Sequence, residues 1–286
     1  MAITFPFHLI IALLSACGIA FLAWKAKSLH PSGAIAAVFV GFCLFGFGGW
    51  SGAIALLLFF ISSSLLSRWG KQQKEMLPYE KGGERDAGQV LANGGIASLG
   101  AVLASLFPTS PLPVFVLLGA LATANADTWA TEIGSLAKGQ PRLITTFQPA
   151  PTGSSGAVSL PGTIAAFAGA LLLGGMTLFW NGTTWGWQGV LAVSLGGFFG
   201  AMADSLLGAT VQAQWHCPTC HRITEQHTHC DTPTTLYRGF AWLNNDAVNI
   251  VATVVGAVSS VLLYRLFAHY LPTLSAIFVI ESIFVV

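Results

Sequence analysis

The sequence predicts an all-α, polytopic membrane bundle of eight or nine spanning helices. Three observations predict it. Only 12 basic and 11 acidic residues occur among 286, or 8% of the chain, against about 25% in soluble domains. Hydrophobic types reach 54%, and the mean hydropathy is +0.70. The apolar residues run continuously over lengths near the roughly 17–25 residues a spanning helix requires, without the alternation of a membrane β-barrel. This composition argues against a soluble enzyme, a disordered tail or a nucleic-acid-binding protein. The formal charge of +1 points to no polyanionic partner.

The first predicted span, Phe5–Trp24, lacks a basic n-region and a small-residue cleavage site before Lys25, so it reads as a retained helix rather than a signal peptide. Gly33–Gly49 and Gly52–Ser67 form a pair around an uncharged turn, and Arg68, Lys71, Lys74, Lys81 and Arg85 follow it. Leu91–Phe107 and Leu112–Ala126 flank Pro108–Pro111, and Lys138 and Arg142 come next. Leu160–Trp180 and Gln188–Leu207 flank Asn181–Trp187, ahead of Arg222 and Arg238. Ala247–Ala268 is the eighth span, and Leu271–Val286 is a ninth span or a re-entrant segment. Eleven of the twelve basic residues thus fall on one side, with only Arg265 on the other. The positive-inside rule makes that side cytoplasmic and puts the N-terminus outside, for a multi-pass protein of the cell (inner) membrane. One integral membrane domain over 1–286 is expected, with a cytosolic loop at 209–240.

Two segments repeat each other: Ala124-Asn125-Ala126-Asp127-Thr128 and Ala201-Met202-Ala203-Asp204-Ser205. Both end spans that run outside to inside, which makes them a parallel internal repeat. Each Asp continues a stripe of small residues at four-residue spacing, Gly119 and Thr123 in one helix, Gly196 and Gly200 in the other. Small residues let helices approach closely, so both carboxylates are expected to face the bundle interior. An ionisable group inside a membrane is a functional-site hypothesis by default. The outgoing helices open on polar groups, Asn93 in one and Asn245, Asp246 and Asn249 in another, while Gly153, Ser154, Ser155, Gly156, Ser159 and Thr163 lead into the sixth span. A Gly/Ser turn at a helix N-terminus suits phosphate. Asp127, Glu132, Asp204 and Asp246 with the three asparagines are expected at one cytosolic mouth, as hard oxygen donors for Mg²⁺ bridging phosphates. Arg142 and Lys138, with Arg238 as a further candidate, are expected to supply a cation clamp.

The loop at 209–240 holds Cys217-Pro-Thr-Cys220, then His227, His229 and Cys230. A CxxC with a second His/Cys pair fits structural tetrahedral zinc. His227 mirrors the CxxC spacing and is the expected fourth ligand beside Cys230; His229, adjacent to Cys230, is the alternative.

Several of these stretches together resemble the transmembrane protein 19 family, as a prokaryotic member. They are Leu91-Ala-Asn-Gly-Gly95, Ala126-Asp-Thr-Trp-Ala-Thr-Glu-Ile-Gly134, Pro141-Arg-Leu-Ile-Thr-Thr146 and Gly153–Ser159 with Gly162-Thr163. Asp204-Ser-Leu-Leu-Gly-Ala-Thr210 and Asn245-Asp-Ala-Val-Asn249 complete the set. That family includes plant phytyl-phosphate kinase. The resemblance implies an isoprenoid-alkyl monophosphate kinase that uses Mg²⁺ and CTP, UTP or ATP to convert phytyl phosphate, or a similar prenyl phosphate, to the diphosphate. The prenyl tail is then expected between the glycine-rich helices. Two other readings use the same residues: a cation- or proton-coupled transporter, and a lipid-phosphate nucleotidyltransferase that releases pyrophosphate.

Overall fold

A computed structural model describes residues 4–70, 84–180 and 185–270, without the side chains of residues 4–6. The segment Leu271–Val286 and the loop lysines Lys71, Lys74 and Lys81 lie outside the described residues. Within them the chain folds as a polytopic helical bundle. Its helices are α1 (Thr4–Lys25), α2 (Pro31–Gly46), α3 (Gly49–Arg68), α4 (Ala87–Leu106), α5 (Leu112–Gly134), α6 (Leu160–Gly174, extended by a 3₁₀ turn over Gly175–Phe179), α7 (Gly186–Thr210) and α8 (Asn245–Tyr270). Seven are long and apolar enough to cross a membrane. The exception is α2, whose 16 residues rise only about 24 Å at 1.5 Å per residue.

Helix α5 is the axis of the bundle. Every residue from Pro113 to Ala126 is buried except Val116, as expected for a helix that is apolar on all sides. Beyond Ala126 the apolar run ends but the helix does not. It continues to Gly134, so Asp127 and Glu132 stand on helical backbone rather than past a helix end. Likewise α4 starts at Ala87, capped by the Asp86 carboxylate on Gln89 N at 3.0 Å, which places Asn93 in its second turn rather than at its opening.

Glycine sets the closest helix approaches. A Cβ on Gly200 would strike Thr123, one on Gly197 would strike Ala122, and one on Gly196 would strike Ser260. Residue numbers rise together between α5 and α7, so these helices are parallel. Gly200 meets Ala252 while Gly196 meets Ser260, so α8 runs antiparallel to both. Asn125, fully buried, ties α5 to its other neighbours: its Oδ1 accepts from Ser62 of α3 at 3.0 Å, and its Nδ2 donates to the Gly169 carbonyl of α6 at 2.8 Å.

The long connections gather at one end. After α5, β1 (Arg142–Leu143) pairs with β2 (Ala157–Val158). After α7 comes a small β module. Its three-stranded sheet is ordered β4 (Ile223–Thr224), β3 (Gln214–His216), β7 (Thr235–Arg238), and β5 (Thr228–His229) pairs with β6 (Thr232–Pro233). The module is pinned to the bundle where Arg238 Nη2 donates to the Gly208 carbonyl at 3.0 Å and Phe240 N to the Val211 carbonyl at 3.0 Å.

Candidate functional site

The repeated aspartates emerge from the junction of α5, α7 and α8. Thr123 and Gly200 touch, and both contact α8, at Gly256 and Ala252 respectively. A residue four positions on lies on the same face one turn further along. Asp127 and Asp204 therefore stand one turn closer to the loop-rich end on the same two faces, and Asn249 of α8 lies one turn from Thr253 toward that end. Asp127 and Asp204 are half-buried, with Asp204 Oδ2 itself enclosed, and Asn249 is buried. A turn beyond, Asp246 Oδ2 occupies the place of a Cβ on Gly88, and Asp86 Oδ1 is 3.4 Å from that point. Carboxylates from α7, α8, α5 and the start of α4 thus face one end of the bundle. Oxygen donors of this kind fit a hard cation such as Mg²⁺. Asn245 begins α8 beside Asp246.

Glu132 and Asn93 sit apart from that junction. Glu132 Oε1 accepts from Ser67 of α3, and its charge acts on Arg85. Burial pushes the Arg85 guanidinium below its ordinary pKa, and Glu132 pulls it back up. Asn93, with Arg85 and Gln89, lines an apolar cavity among α1–α4. Sequence reasoning missed Arg85 and Asp86 as site residues. Asp86 carried a legible signal, because Asp-x-x-Gln before an apolar run is an N-terminal capping pattern.

The nucleotide-side residues are more exposed. Arg142 donates to the Phe147 carbonyl of its own turn at 2.7 Å, so part of its fork is committed locally. It borders a basin of about 300 Å³ together with Lys138 and Ser159. Ser159 caps α6 by accepting from Gly162 N at 3.2 Å, Thr163 donates to the Ser159 carbonyl at 3.0 Å, and Ser155 donates to Gln212 at 2.9 Å. These hydroxyls hold the turn together. Gly156 (φ +78°) lies against the Ala209 backbone and docks the turn on α7. Gly153 and Ser154 complete it through a hydrogen bond from Ser154 N to the Pro151 carbonyl. The expected place for a prenyl tail, between the glycine-rich helices, is filled: α5, α7 and α8 touch along Gly119, Thr123, Gly196, Gly200 and Gly256.

In the β module, one ligand atom from each of Cys217, Cys220, His229 and Cys230 lies within 4.8 Å of the others. His229 Nδ1 is 3.4 Å from Cys220 Sγ and 3.3 Å from Cys230 Sγ. His227 is not among them; its ring packs on Trp215 at 4.2 Å between centroids. The expected fourth ligand is therefore corrected to His229. Adjacent side chains reach one centre because Cys230 adopts φ +53° and Asp231 φ +54°, which turns the chain sharply after β5. The backbone N–H of Cys220, helped by His229 and Thr219, lowers the Cys217 thiol to about 6. Three thiols and one imidazole at this spacing fit tetrahedral zinc, with no position left for substrate.

Fold and site together define a multi-pass helical membrane protein with the carboxylates Asp86, Asp127, Asp204 and Asp246 collected at the loop-rich end of the bundle. The chain belongs to the family described as integral membrane protein DUF92, whose profile matches residues 14–257, in keeping with its resemblance to the transmembrane protein 19 family. Protein PGR of Arabidopsis thaliana is 34% identical over 274 residues, covering 87% of this chain and 93% of that one. An uncharacterised membrane protein of Methanocaldococcus jannaschii is 34% identical over 259 residues, covering 90% and 94%. Protein VTE6, chloroplastic, of Arabidopsis thaliana is 24% identical over 244 residues, covering 83% and 66%. No solved structure matches the chain.

Proposed function

We propose that the protein is an isoprenoid-alkyl monophosphate kinase, transferring the γ-phosphoryl group of CTP, UTP or ATP to phytyl phosphate or a similar prenyl phosphate at the cytoplasmic face of the cell membrane. The observation that carries the reading is the carboxylate set Asp127, Asp204 and Asp246 at the loop-rich end of three touching helices. The family resemblance supplies the substrate class. A transporter's coupling site is expected nearer mid-membrane.

The acceptor needs little activation. The second pKa of a phosphate monoester is near 6, so at neutral pH it is already an anionic nucleophile. Its oxygen attacks the γ-phosphorus, a P–O bond forms, the β–γ bridging P–O bond breaks, and the nucleoside diphosphate leaves. The obstacle is repulsion between anions. Asp127, Asp204 and Asp246 would hold Mg²⁺ directly or through water, and bound Mg²⁺ neutralises charge on the β- and γ-phosphate oxygens. Asn245 and Asn249 orient ligand or water by their amides. Lys138 and Arg142 face the nucleotide phosphates across the basin at the α6 N-terminus, whose positive dipole end adds to them. Cys217, Cys220, His229 and Cys230 would hold a zinc ion that fixes the fold of the module attached to the α7 end.

The test is product analysis with purified protein, geranylgeranyl or phytyl phosphate, Mg²⁺ and each nucleoside triphosphate. Nucleoside diphosphate with lipid diphosphate is the expected outcome. Pyrophosphate with a nucleotidyl lipid would identify a nucleotidyltransferase instead. Ion-driven uptake in liposomes without turnover would identify a transporter.

A further inference from the structure

The apolar cavity among α1–α4 has a polarity gradient that the kinase reading does not use. Small residues create it: Ala16 and Ala20 of α1, Ala37 and Gly41 of α2, and Ala53 of α3. It follows α2 from Ala37 to Phe45, a rise of about 12 Å, and its volume is about 110 Å³. Ile19, 42% exposed, marks an open side. Apart from Ser15, the polar groups on its wall are Arg85, Gln89 and Asn93. Gln89 and Asn93 share one face of α4, and Arg85 precedes the helix N-cap at the loop-rich end. Arg85 is firmly placed there: its N donates to the Ser28 carbonyl at 3.2 Å, its carbonyl accepts from His30 N at 3.0 Å, and Gly33 packs against that carbonyl. A guanidinium has five N–H donors, so its interaction with Glu132 leaves capacity for an anion.

We propose that this cavity is the acceptor-lipid site, in which one alkyl or isoprenoid chain lies along α1–α3 and its phosphate meets Arg85, with Gln89 and Asn93 as further donors. The substrate class rests on the kinase reading; the amphiphile site rests on the cavity itself. Charge complementarity selects the occupant. A neutral chain gains nothing from a partly buried cation, whereas a phosphate forms charge-assisted hydrogen bonds with it. Between α1, α2 and α3 the bore is lined by apolar side chains apart from Ser15, so it takes the chain, and Arg85 at the loop-rich end takes the phosphate. The phosphate then waits one residue from Asp86, whose carboxylate sits with that of Asp246 around Gly88. Arg85 is therefore a binding residue of the acceptor, separate from the nucleotide-side cations Lys138 and Arg142.

The experiment is photolabelling without nucleotide. Purified full-length protein is exposed to a geranylgeranyl-length alkyl monophosphate carrying a diazirine in its chain, and adducts are mapped by mass spectrometry. Adducts on α1–α3 around Ala20, Ala37 and Leu56 are expected, along with at least tenfold weaker labelling by the matching alcohol. Arg85→Gln should cut phosphate labelling at least tenfold, with Arg85→Lys retaining most of it, and Ala37→Phe should block the bore. Equal labelling by alcohol and phosphate, unchanged in Arg85→Gln, would mean a crevice filled by bulk lipid and would overturn the proposal. Adducts confined to α5, α7 and α8 would also overturn it. Cavity adducts without turnover would fail the kinase reading alone; turnover with adducts elsewhere would fail this inference alone.

Discussion

Asp246 Oδ2 fills the space that a Cβ on Gly88 would need. A side chain at Gly88 therefore displaces the Asp246 carboxylate rather than any backbone. Alanine is the better helix former, by about 1 kcal/mol in a helix interior and by less in the first turn where Gly88 lies, and the displaced group is the far end of a flexible side chain. Gly88→Ala is expected to keep or raise thermal stability while turnover falls at least tenfold. Unfolding curves and steady-state rates on one preparation check this. Unchanged turnover would remove Asp246 from the reaction.

Asp127→Asn and Asp204→Asn keep shape and remove charge. Both residues sit one turn past the Thr123–Gly200 contact, beyond the close glycine packing of α5, α7 and α8. Each substitution is expected to lower turnover at least about 100-fold, the upper range for loss of a supporting metal-site interaction, with an unchanged unfolding midpoint. Added Mg²⁺ should partly restore the rate if the loss is one of metal affinity. Full activity in both variants would contradict the metal assignment.

Asn125 tests the other polar residue of the same motif. Its amide joins α3, α5 and α6 through Ser62 and the Gly169 carbonyl. Interhelical hydrogen bonds in membranes contribute about 0.6 kcal/mol on average and up to about 1.7. Asn125→Leu is expected to lose about 1–2 kcal/mol of stability by reversible unfolding, while activity per folded molecule stays near wild type. A stable but inactive variant would move Asn125 into the site.

The parts of the site that were legible in sequence are those carried by periodicity. The Gly119/Thr123 and Gly196/Gly200 stripes implied buried faces, and the structure packs those faces against each other and against α8. Helix ends were read short because hydropathy falls at Asp127 while the backbone hydrogen bonds continue to Gly134. Arg85 was illegible for a different reason. Its surroundings come from the α1–α2 connection through Ser28 and His30, a long-range pairing that no local pattern encodes. Nor could spacing along the chain reveal that small residues on α1–α3 leave room for a ligand while those on α5 and α7 close.

The choice between His227 and His229 turned on one backbone angle, and it can be tested directly. In a regular strand, neighbours point to opposite faces, so adjacent His229 and Cys230 would not share a metal. The left-handed φ of Cys230 removes that obstacle, and it does so just where β5 ends. His227, two residues earlier, is held against Trp215 instead. Purified protein is therefore expected to carry one zinc per chain by elemental analysis. His229→Ala and the double variant Cys217→Ser/Cys220→Ser should lose it, whereas His227→Ala should retain it. Structural zinc supplies folding free energy to its module, so chelation should expose the 214–238 segment to proteolysis before the helices are cut. Zinc lost from His227→Ala but kept in His229→Ala would reverse the assignment, and unchanged zinc in the cysteine variant would remove the metal from this loop.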